Sequence, residues 1–417
     1  MAVDLASLIR AGDTVLWSQG CGEPRALTEA LMAQRHRIGY LSVFLGATFS
    51  DTLKAEYADC IQFRGIGGIG SNAVLSRAGV LDVVPVHVSA LPGLITSRVL
   101  PVDVVLVQLS PAGPDGRHSL GLVADYVRPA MTAARVVVAE VNQQVPYVRG
   151  PELVGPDEID VVVHTDRPPV ELSSQEPDQA ERRIGELVAG LIPDGAVIQL
   201  GVGTVPAAVG SALRSHRDLG VHSGVVGDWL ADLVEAGAVT NRLKRRDRHV
   251  SVTGGLFGSR RLYDFAHDNP AVELRPLTYT HDRGVLAELD RLHTVNSAVE
   301  VDLSGQVNAE VVGGHHIGTV GGQVDFVRAG TASAGGRSLI ALKSTAAGGR
   351  RSRIVAGLSQ PVVTTARSDV DVIVTEFGVA DLRGASLGQR AERLIAVSHP
   401  DHRAGLRDAM GRTVDSR

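Results

Sequence analysis

Residues 196–241 read AVIQLGVGTVPAAVGSALRSHRDLGVHSGVVGDWLADLVEAGAVTN and combine strand, glycine turn and helix in one segment. The apolar run AVIQL leads into the turn GVGT and the helix-like PAAVGSAL, and a second strand-like piece, GVHS, follows. Backbone N–H groups at Gly201 to Thr204 would then lie at the start of a helix, where they can hold an oxygen or a phosphate. Ligands of α/β proteins bind where strands end, so the segment predicts a ligand site.

The composition around this segment is that of a soluble globular protein. Of the 417 residues, 44 % are hydrophobic and 21 % are charged, and the formal net charge is −5, which argues against a nucleic-acid binder. Aromatic residues make up only 4 % while glycines number 47, as expected for parallel strands of small aliphatic residues joined to helices by tight turns. These features predict an α/β fold, and the length predicts two domains.

The sequence lacks the patterns of metal sites, disulfide frameworks, membrane spans and secretory signals. Cys21 and Cys60 have no CxxC spacing, and His315 and His316 are adjacent rather than at ligand spacing, so no metal and no disulfide framework are predicted. No apolar run approaches the ~18 residues of a membrane span, and the first residues lack the pattern of a secretory signal. We therefore expect a cytoplasmic protein without membrane or nucleic-acid partners.

Apolar runs separated by turn-rich segments predict the strands. In the first half these runs are YLSVFLG, DVVPVHVS, VDVVLVQLS and ARVVVAEVN. The proline-rich and acidic segment 151–178, which contains one strand-like DVVVHT, is interpreted as the end of the first domain and a linker. The predicted domains are residues 1–178 and 179–417. The second opens with the helix-like AERRIGELVAGLI, and the chain ends with two predicted amphipathic helices.

Long motifs carry a resemblance to a known family. They include VNSAVEVDLSGQVNAE from Val295, GGQVDFVRAGTASAGGRSLIALKSTA from Gly321, and VTEFGVADLRGASLGQRAERLIAVSHPDHR from Val374. With these motifs the chain resembles the acetyl-CoA hydrolase/transferase family, which includes acetate, succinate and 4-hydroxybutyrate CoA-transferases. The resemblance implies two CoA-transferase-like α/β domains that face one another, an active site between them, an acyl-CoA (coenzyme A thioester) as the small-molecule substrate, and a homo-oligomer.

The resemblance also implies which residues bind CoA. The family's QLGxG segment corresponds to Gln199, Gly201, Val202, Gly203, Thr204 and Val205. The glycine pair before the QxDF motif corresponds to Gly321 and Gly322, and a basic residue after the next glycine pair corresponds to Arg337. The chemistry agrees with the residues, since a thioester carbonyl that becomes an oxyanion needs fixed N–H donors and glycines let the backbone come close.

One position departs from the family pattern. The family carries a strand end reading roughly G-[IV]-H-[ST]-E, whose glutamate attacks the thioester and holds CoA covalently. The corresponding residues here are GVHSG, which ends in Gly224. Because glycine has no group that can form and release a bond, a glutamyl-CoA intermediate at this position is excluded.

A base is then needed, and two residues are candidates. His222 adjoins the vacant position, and an unperturbed imidazole titrates near neutral pH. Instead of acting as the base, His222 could have an orienting role, since the family also has a histidine at this position. Glu23, in the glycine loop of the first domain, could supply a carboxylate across the crevice, or could merely favour a helix N-terminus. Ser223 would need a base and an orienting partner.

The sequence therefore predicts an enzyme of the acyl-CoA hydrolase and CoA-transferase type that acts without the usual covalent intermediate, by hydrolysis or by another acyl-CoA reaction. The alternative is an acyl-CoA-binding protein that kept the fold and lost the chemistry.

Overall fold

A computed structural model describes residues 3–173 and 175–414, with side chains as far as residue 410. The strands, numbered along the chain, are β1 Thr14–Trp17, β2 Leu41–Leu45, β3 Ile61–Gly65, β4 Leu81–Val83, β5 Val104–Leu109, β6 Val136–Asn142, β7 Val161–Thr165, β8 Val197–Leu200, β9 Gly220–Ser223, β10 Ser251–Thr253, β11 Val272–Leu274, β12 Leu292–Asn296, β13 Glu300–Asp302, β14 Val307–Asn308, β15 Val311–Val312, β16 His315–His316, β17 Arg337–Ala341, β18 Thr345–Ala346, β19 Arg351–Ser352, β20 Ile354–Val355, β21 Val372–Thr375 and β22 Gly378–Asp381.

The α-helices are α1 Arg25–Ile38, α2 Asn72–Arg77, α3 Leu91–Thr96, α4 Val127–Ala133, α5 Gln179–Ala189, α6 Thr204–Ala212, α7 Trp229–Glu235, α8 Arg260–Ala266, α9 Leu277–Thr280, α10 Arg283–Ala287, α11 Gln323–Ala332, α12 Leu387–Val397 and α13 Pro400–Val414. Short 3₁₀ helices lie at Leu5–Ser7, Gly20–Gly22, Ala55–Asp59, Val88–Ala90, Pro156–Glu158 and Leu213–Ser215. No helix in the described parts of the chain is both long enough and apolar enough to cross a bilayer.

Two large sheets organise these elements. The first has the order β4-β3-β2-β1-β5-β6-β7, and its neighbouring strands are all parallel. The second has the order β11-β10-β9-β8-β12-β17-β21-β22, and only the last pair in it is antiparallel. The predicted α/β fold with large, mostly parallel sheets is confirmed.

Burial explains why the apolar runs form central strands. All six residues of β5, VVLVQL, are buried, as expected for a parallel strand covered on both faces. Helix α5 begins with a capping box, in which the Asp178 carboxylate accepts from the Glu181 amide at 2.9 Å and the Glu181 carboxylate accepts from the Asp178 amide at 2.9 Å. Local sequence therefore sets both the strand cores and the start of this helix.

One expected strand is shorter than predicted. The run DVVPVHVS forms only the three-residue strand β4 and then a short 3₁₀ helix, so the prediction of a full strand there was wrong. Pro85 has no N–H to donate to a sheet, which explains why pairing ends before it. The run DVVVHT forms β7 at the edge of the first sheet, which leaves the connection after Thr165 as the link to α5. The boundary after residue 178 stays a prediction.

The two halves share one hydrophobic core. It includes Leu122 and Val123 from the first half and Leu256 and Phe257 from the second. The backbone joins the halves at the same place, because the Leu256 amide donates to the Leu122 carbonyl at 2.8 Å. The sheets are therefore held with their strand ends facing each other.

Candidate active site

A cavity of about 240 Å³ lies where the strand ends of the two sheets meet. From the first sheet it is lined by residues that follow β1, β2 and β3, and from the second by residues that follow β8, β9 and β10: Gln19, Ala47 and Ile66, and Gly201, Gly224 and Gly254. Depressions elsewhere on the surface are larger. This cavity is nevertheless the candidate active site, because α/β proteins bind ligands at the carboxyl ends of their strands.

The glycine loop predicted to bind CoA forms part of this wall. Gln199, Gly201 and Val202 line the cavity, and Gly203 begins helix α6 with φ +114°, a conformation that favours glycine. Among the described residues, no acceptor is found for the N–H groups of Val202 and Gly203. Trp229 fixes the loop by donating its indole N–H to the Gly201 carbonyl at 3.0 Å. Free amides at a helix start suit an oxyanion or another anionic oxygen.

The remaining residues of that segment serve the frame of the loop. The Thr204 hydroxyl donates to the Glu181 carboxylate at 2.7 Å, and Val205 packs against the hydrophobic core. The predicted pair Gly321 and Gly322 does line the cavity, opposite the glycine loop.

Gly224 also lines the cavity, and an imidazole occupies the space in front of it. A Cβ atom at residue 224 would lie 2.7 Å from Cε1 and 3.1 Å from Nε2 of His281, and a Cβ atom at residue 322 would lie 2.3 Å from the same Nε2. The His281 ring also contacts the Phe326 ring edge-on, with 4.7 Å between centroids. The ring therefore fits because residues 224 and 322 are both glycine.

His281 is buried, and its titration is strongly displaced. Burial lowers the pKa of His281 to about 3, so its imidazole is neutral at physiological pH. Its Nδ1 is 2.9 Å from the Thr280 hydroxyl. Sequence reasoning missed His281, because it follows a four-residue helix rather than a strand.

The cavity also contains a carboxylate that sequence reasoning missed. Asp125 is only 3 % exposed, and its side chain accepts hydrogen bonds from the Gln19 amide and from the Tyr126 backbone N–H. Burial raises the pKa of Asp125 to about 7, although the hydrogen bond from Gln19 opposes this shift. Among described residues, Asp125 and His281 are the titratable side chains in the cavity wall. The one available signal was an isolated acid in the apolar run GLVADYV.

Backbone hydrogen bonds place Asp125, Gly224 and His281 around the same space. The Ala124 amide donates to the Gly254 carbonyl at 2.9 Å, and the Gly254 amide donates to the Gly224 carbonyl at 3.0 Å. The carbonyl of Asp125 accepts from the Leu277 amide at 2.9 Å, at the start of the short helix that ends beside His281. The first domain therefore presents its carboxylate beside the segment that carries the imidazole.

The structure does not bring His222 to the cavity. Its ring is fully buried beneath β9, where Nε2 lies 3.0 Å from the Thr280 carbonyl. Burial, with a smaller effect of the Lys244 charge, lowers the pKa of His222 to about 3. The neighbouring Ser223 hydroxyl lies 2.8 Å from the Leu200 carbonyl, and it too is buried. This geometry favours the orienting alternative for His222 over a role as a base that contacts the substrate.

Glu23 likewise lies outside the cavity wall. Its side chain is 1 % exposed and accepts from the Thr28 hydroxyl in the first turns of α1 at 2.8 Å. Burial raises the pKa of the Glu23 carboxyl. One oxygen of the carboxylate is engaged at this helix start, and Glu23 does not line the cavity, so its role as a base stays a prediction.

Arg337 also lies away from the site. It is the first residue of β17, whereas the cavity lies beyond the carboxyl ends of the strands of that sheet. Its guanidinium donates to the Asp381 carboxylate at 2.9 Å. Arg337 therefore does not line this cavity, and its predicted role in CoA binding stays a prediction.

Metal binding was not predicted, and within the described part of the chain the candidate cavity offers the two titratable groups described above. His36, Asp59 and Cys60, at the surface, place ligand atoms within 4.8 Å of one another. Arg35 already forms an ion pair with Asp59, at 3.3 Å. The prediction that the protein uses no metal stays a prediction.

The fold and the cavity define a two-domain α/β protein with its ligand site between the domains. Residues 1–172 match the acetyl-CoA hydrolase/transferase N-terminal domain, and residues 258–410 match the C-terminal domain of the same name. The 4-hydroxybutyrate coenzyme A transferase of Clostridium kluyveri is 37 % identical over 96 % of this chain and 94 % of its own. The succinyl-CoA:cyclohexane-1-carboxylate CoA transferase of Geobacter metallireducens is 34 % identical over 98 % and 94 %.

A solved structure agrees with these relatives. RipA from Yersinia pestis superposes with a TM-score of 0.93 at 34 % identity, over 98 % of this chain and 96 % of that one. The chain belongs to the acetyl-CoA hydrolase/transferase family. An enzyme that uses an acyl-CoA as its substrate is therefore supported at the level of the family.

Proposed function

We propose that this protein hydrolyses an acyl-CoA thioester in the cavity between its domains, and that water attacks the thioester directly. The observation that carries the proposal is the filled space at residue 224. Position 224 has no side chain, and the His281 ring lies 2.7 Å from where a side chain would begin. No carboxylate can therefore attack from this position, and the covalent route that the family resemblance implies has no nucleophile there.

The glycine loop supplies the other half of the chemistry. We assign the N–H groups of Val202 and Gly203 to the thioester oxygen, because they have no acceptor among the described residues and immediately precede a helix. Negative charge that develops on this oxygen during attack would be stabilised by fixed donors, each worth about 10²–10³ in rate. Gln199, Gly321 and Gly322 line the same cavity and are assigned to the thioester and the adjoining part of CoA.

A second candidate function is acyl-CoA binding without turnover. The filled space at residue 224 is compatible with it, since loss of the nucleophile alone would leave a binding protein. The carboxylate of Asp125 in the cavity wall favours turnover, because a binding site for an anionic ligand gains nothing from a buried acid. Self-association and a cytoplasmic location remain predictions from the sequence.

The test is release of CoA from a panel of acyl-CoA thioesters of increasing chain length. We expect at least one thioester to be hydrolysed, with a rate that added acetate or succinate does not change and with no new thioester formed from either acid. Intact-protein mass spectrometry of samples quenched during turnover is expected to show an unmodified chain.

Three results would contradict the proposal. They are a mass increase equal to CoA or to the acyl group on any residue, an acyl-CoA formed from an added carboxylate, and acyl-CoA binding without any release of CoA. The last result would favour the binding function.

A further inference from the structure

The side chain of Asp125 is held in a fixed orientation by the side-chain amide of Gln19 and by a backbone amide. The Gln19 Oε1 accepts from the Ala47 backbone N–H at 2.8 Å, which fixes which end of the amide faces Asp125. The Nε2 of Gln19 therefore donates to Asp125 Oδ2, while the Tyr126 amide donates to Oδ1. Gln19 and Asp125 both line the cavity.

Glu140, another buried acid of the first domain, has structural partners instead. The Glu140 carboxylate is fully buried and accepts from the Ala26 amide at 2.9 Å and the Thr165 hydroxyl at 2.8 Å, which fastens α1 to the sheet. Glu140 does not line the cavity. Asp125 differs from Glu140 because Asp125 lines the cavity in which we place the thioester.

We propose that Asp125 is the general base that activates the attacking water, and that Gln19 is the residue that positions its carboxylate. This inference rests on the proposed hydrolysis. It assigns a catalytic residue to the first domain, so that the base and the oxyanion amides face each other from different domains.

The step balances as follows. The Asp125 carboxylate accepts a proton from water while the water oxygen forms a bond to the thioester carbon, and the carbonyl oxygen takes up the negative charge beside the loop amides. The carbon–sulfur bond then breaks as the carbonyl re-forms, and the proton passes from the Asp125 carboxyl to the leaving sulfur. The products are the free acid and CoA, and Asp125 returns to its carboxylate form.

The electrostatics of the wall agree with this assignment. Burial holds the pKa of Asp125 at about 7, close to the neutral pH at which a general base would act. The other titratable group in the wall, His281, has a pKa of about 3, which makes its imidazole a poor proton acceptor. The adjacent Tyr126 is also buried, and burial and the charge of Asp125 keep its pKa well above the usual range, so it stays neutral.

The experiment is the pH dependence of kcat/KM for the best thioester of the panel, in the wild-type chain and in Asp125→Asn and Gln19→Ala. Because the carboxylate form is active, wild-type kcat/KM should rise with pH through about 7. Asp125→Asn should lower kcat by about 10²–10⁴, the usual contribution of a general base, and leave the affinity for the acyl-CoA unchanged. Gln19→Ala should move the acid limb to higher pH, because the lost hydrogen bond stabilises the carboxylate.

Glu140→Gln is the matched control, since it neutralises a buried carboxylate outside the cavity and should leave the acid limb in place. If Asp125→Asn does not fold, the assignment is decided by whether Gln19→Ala shifts the acidic limb of the pH profile to higher pH. Two results would overturn this assignment but not the proposed function. In the first, the chain hydrolyses the thioester but Gln19→Ala leaves the acidic limb of the pH profile where it is. In the second, Asp125→Asn keeps that limb and hydrolyses at a near wild-type rate. Failure of the wild-type chain to hydrolyse any thioester overturns both.

Discussion

A glutamate introduced at position 224 is expected to bind CoA covalently only when His281 is shortened in the same chain. In Gly224→Glu alone, the new Cβ would lie 2.7 Å from Cε1 of His281, which is closer than non-bonded carbon atoms approach. Overpacking of this kind costs about 1–3 kcal/mol. In the double variant with His281→Ala the ring is gone, and the carboxylate can occupy its space beside the loop amides.

Two measurements check this expectation. Intact-protein mass spectrometry after addition of acetyl-CoA should show a CoA adduct in Gly224→Glu/His281→Ala and none in the wild-type chain or in His281→Ala. Urea denaturation of the four chains should give a favourable coupling free energy of about 0.5–3 kcal/mol between the two substitutions, as for residues in contact.

Gly93→Glu is the control for the added side chain. Gly93 is exposed in α3, and a Cβ there would meet nothing within 4 Å. An adduct in Gly224→Glu alone, together with wild-type stability, would show that His281 does not compete for this space.

The fold was largely predictable because parallel strands covered on both faces appear in the sequence as nearly continuous apolar runs. The run VVLVQL is apolar except for Gln108 and forms a fully buried strand. The run containing Pro85 has the same apolar character, but a missing N–H shortens its strand, which an average over composition does not detect. The glycine loop after β8 was predictable as well, because strand-to-helix turns place free amides at strand ends.

The titratable side chains of the cavity wall were harder to predict, because tertiary contacts bring them together. Asp125 and His281 are far apart in sequence, and neither follows a strand directly. The hydrogen bond from the Leu277 amide to the Asp125 carbonyl brings their segments together, and no local pattern encodes it. His222 and Arg337 show the opposite case, because sequence motifs single them out although they do not line the cavity. Both belong to strands of the second sheet, but one is buried beneath its strand and the other begins its strand, at the edge away from the cavity.

The cavity depends on a seam of backbone contacts between the domains, formed by residues 66–68 and 316–319. The Gly68 amide donates to the Gly318 carbonyl at 3.1 Å, and the Thr319 hydroxyl donates to the Ile66 carbonyl at 2.6 Å. Ile66 and Thr319 also line the cavity, so the spacing of this seam sets the spacing of the site. At Gly68 the approach is closest, because a Cβ atom there would lie 1.9 Å from the His316 carbonyl oxygen.

Gly68→Ala is therefore expected to be among the most damaging single substitutions in the chain. Backbone atoms on both sides of the seam have no rotamer to change, so the two chain segments themselves must separate. We expect a loss of stability of about 1–3 kcal/mol or more. A shift of the seam on the order of 1 Å would also move the two halves of the site apart, with a fall in kcat on the order of 10²-fold.

Urea denaturation and kcat on the same preparation measure the two effects. Gly388→Ala is the matched control, because Gly388 lies in α12 and a Cβ there would meet nothing within 4 Å. Replacing a helical glycine by alanine should leave kcat unchanged and stabilise the chain by up to about 1 kcal/mol. If Gly68→Ala lost stability and kept its full kcat, the seam would hold the domains together without setting the geometry of the site. That result would place the alignment of base and oxyanion amides in the shared core around Leu122 and Leu256 instead.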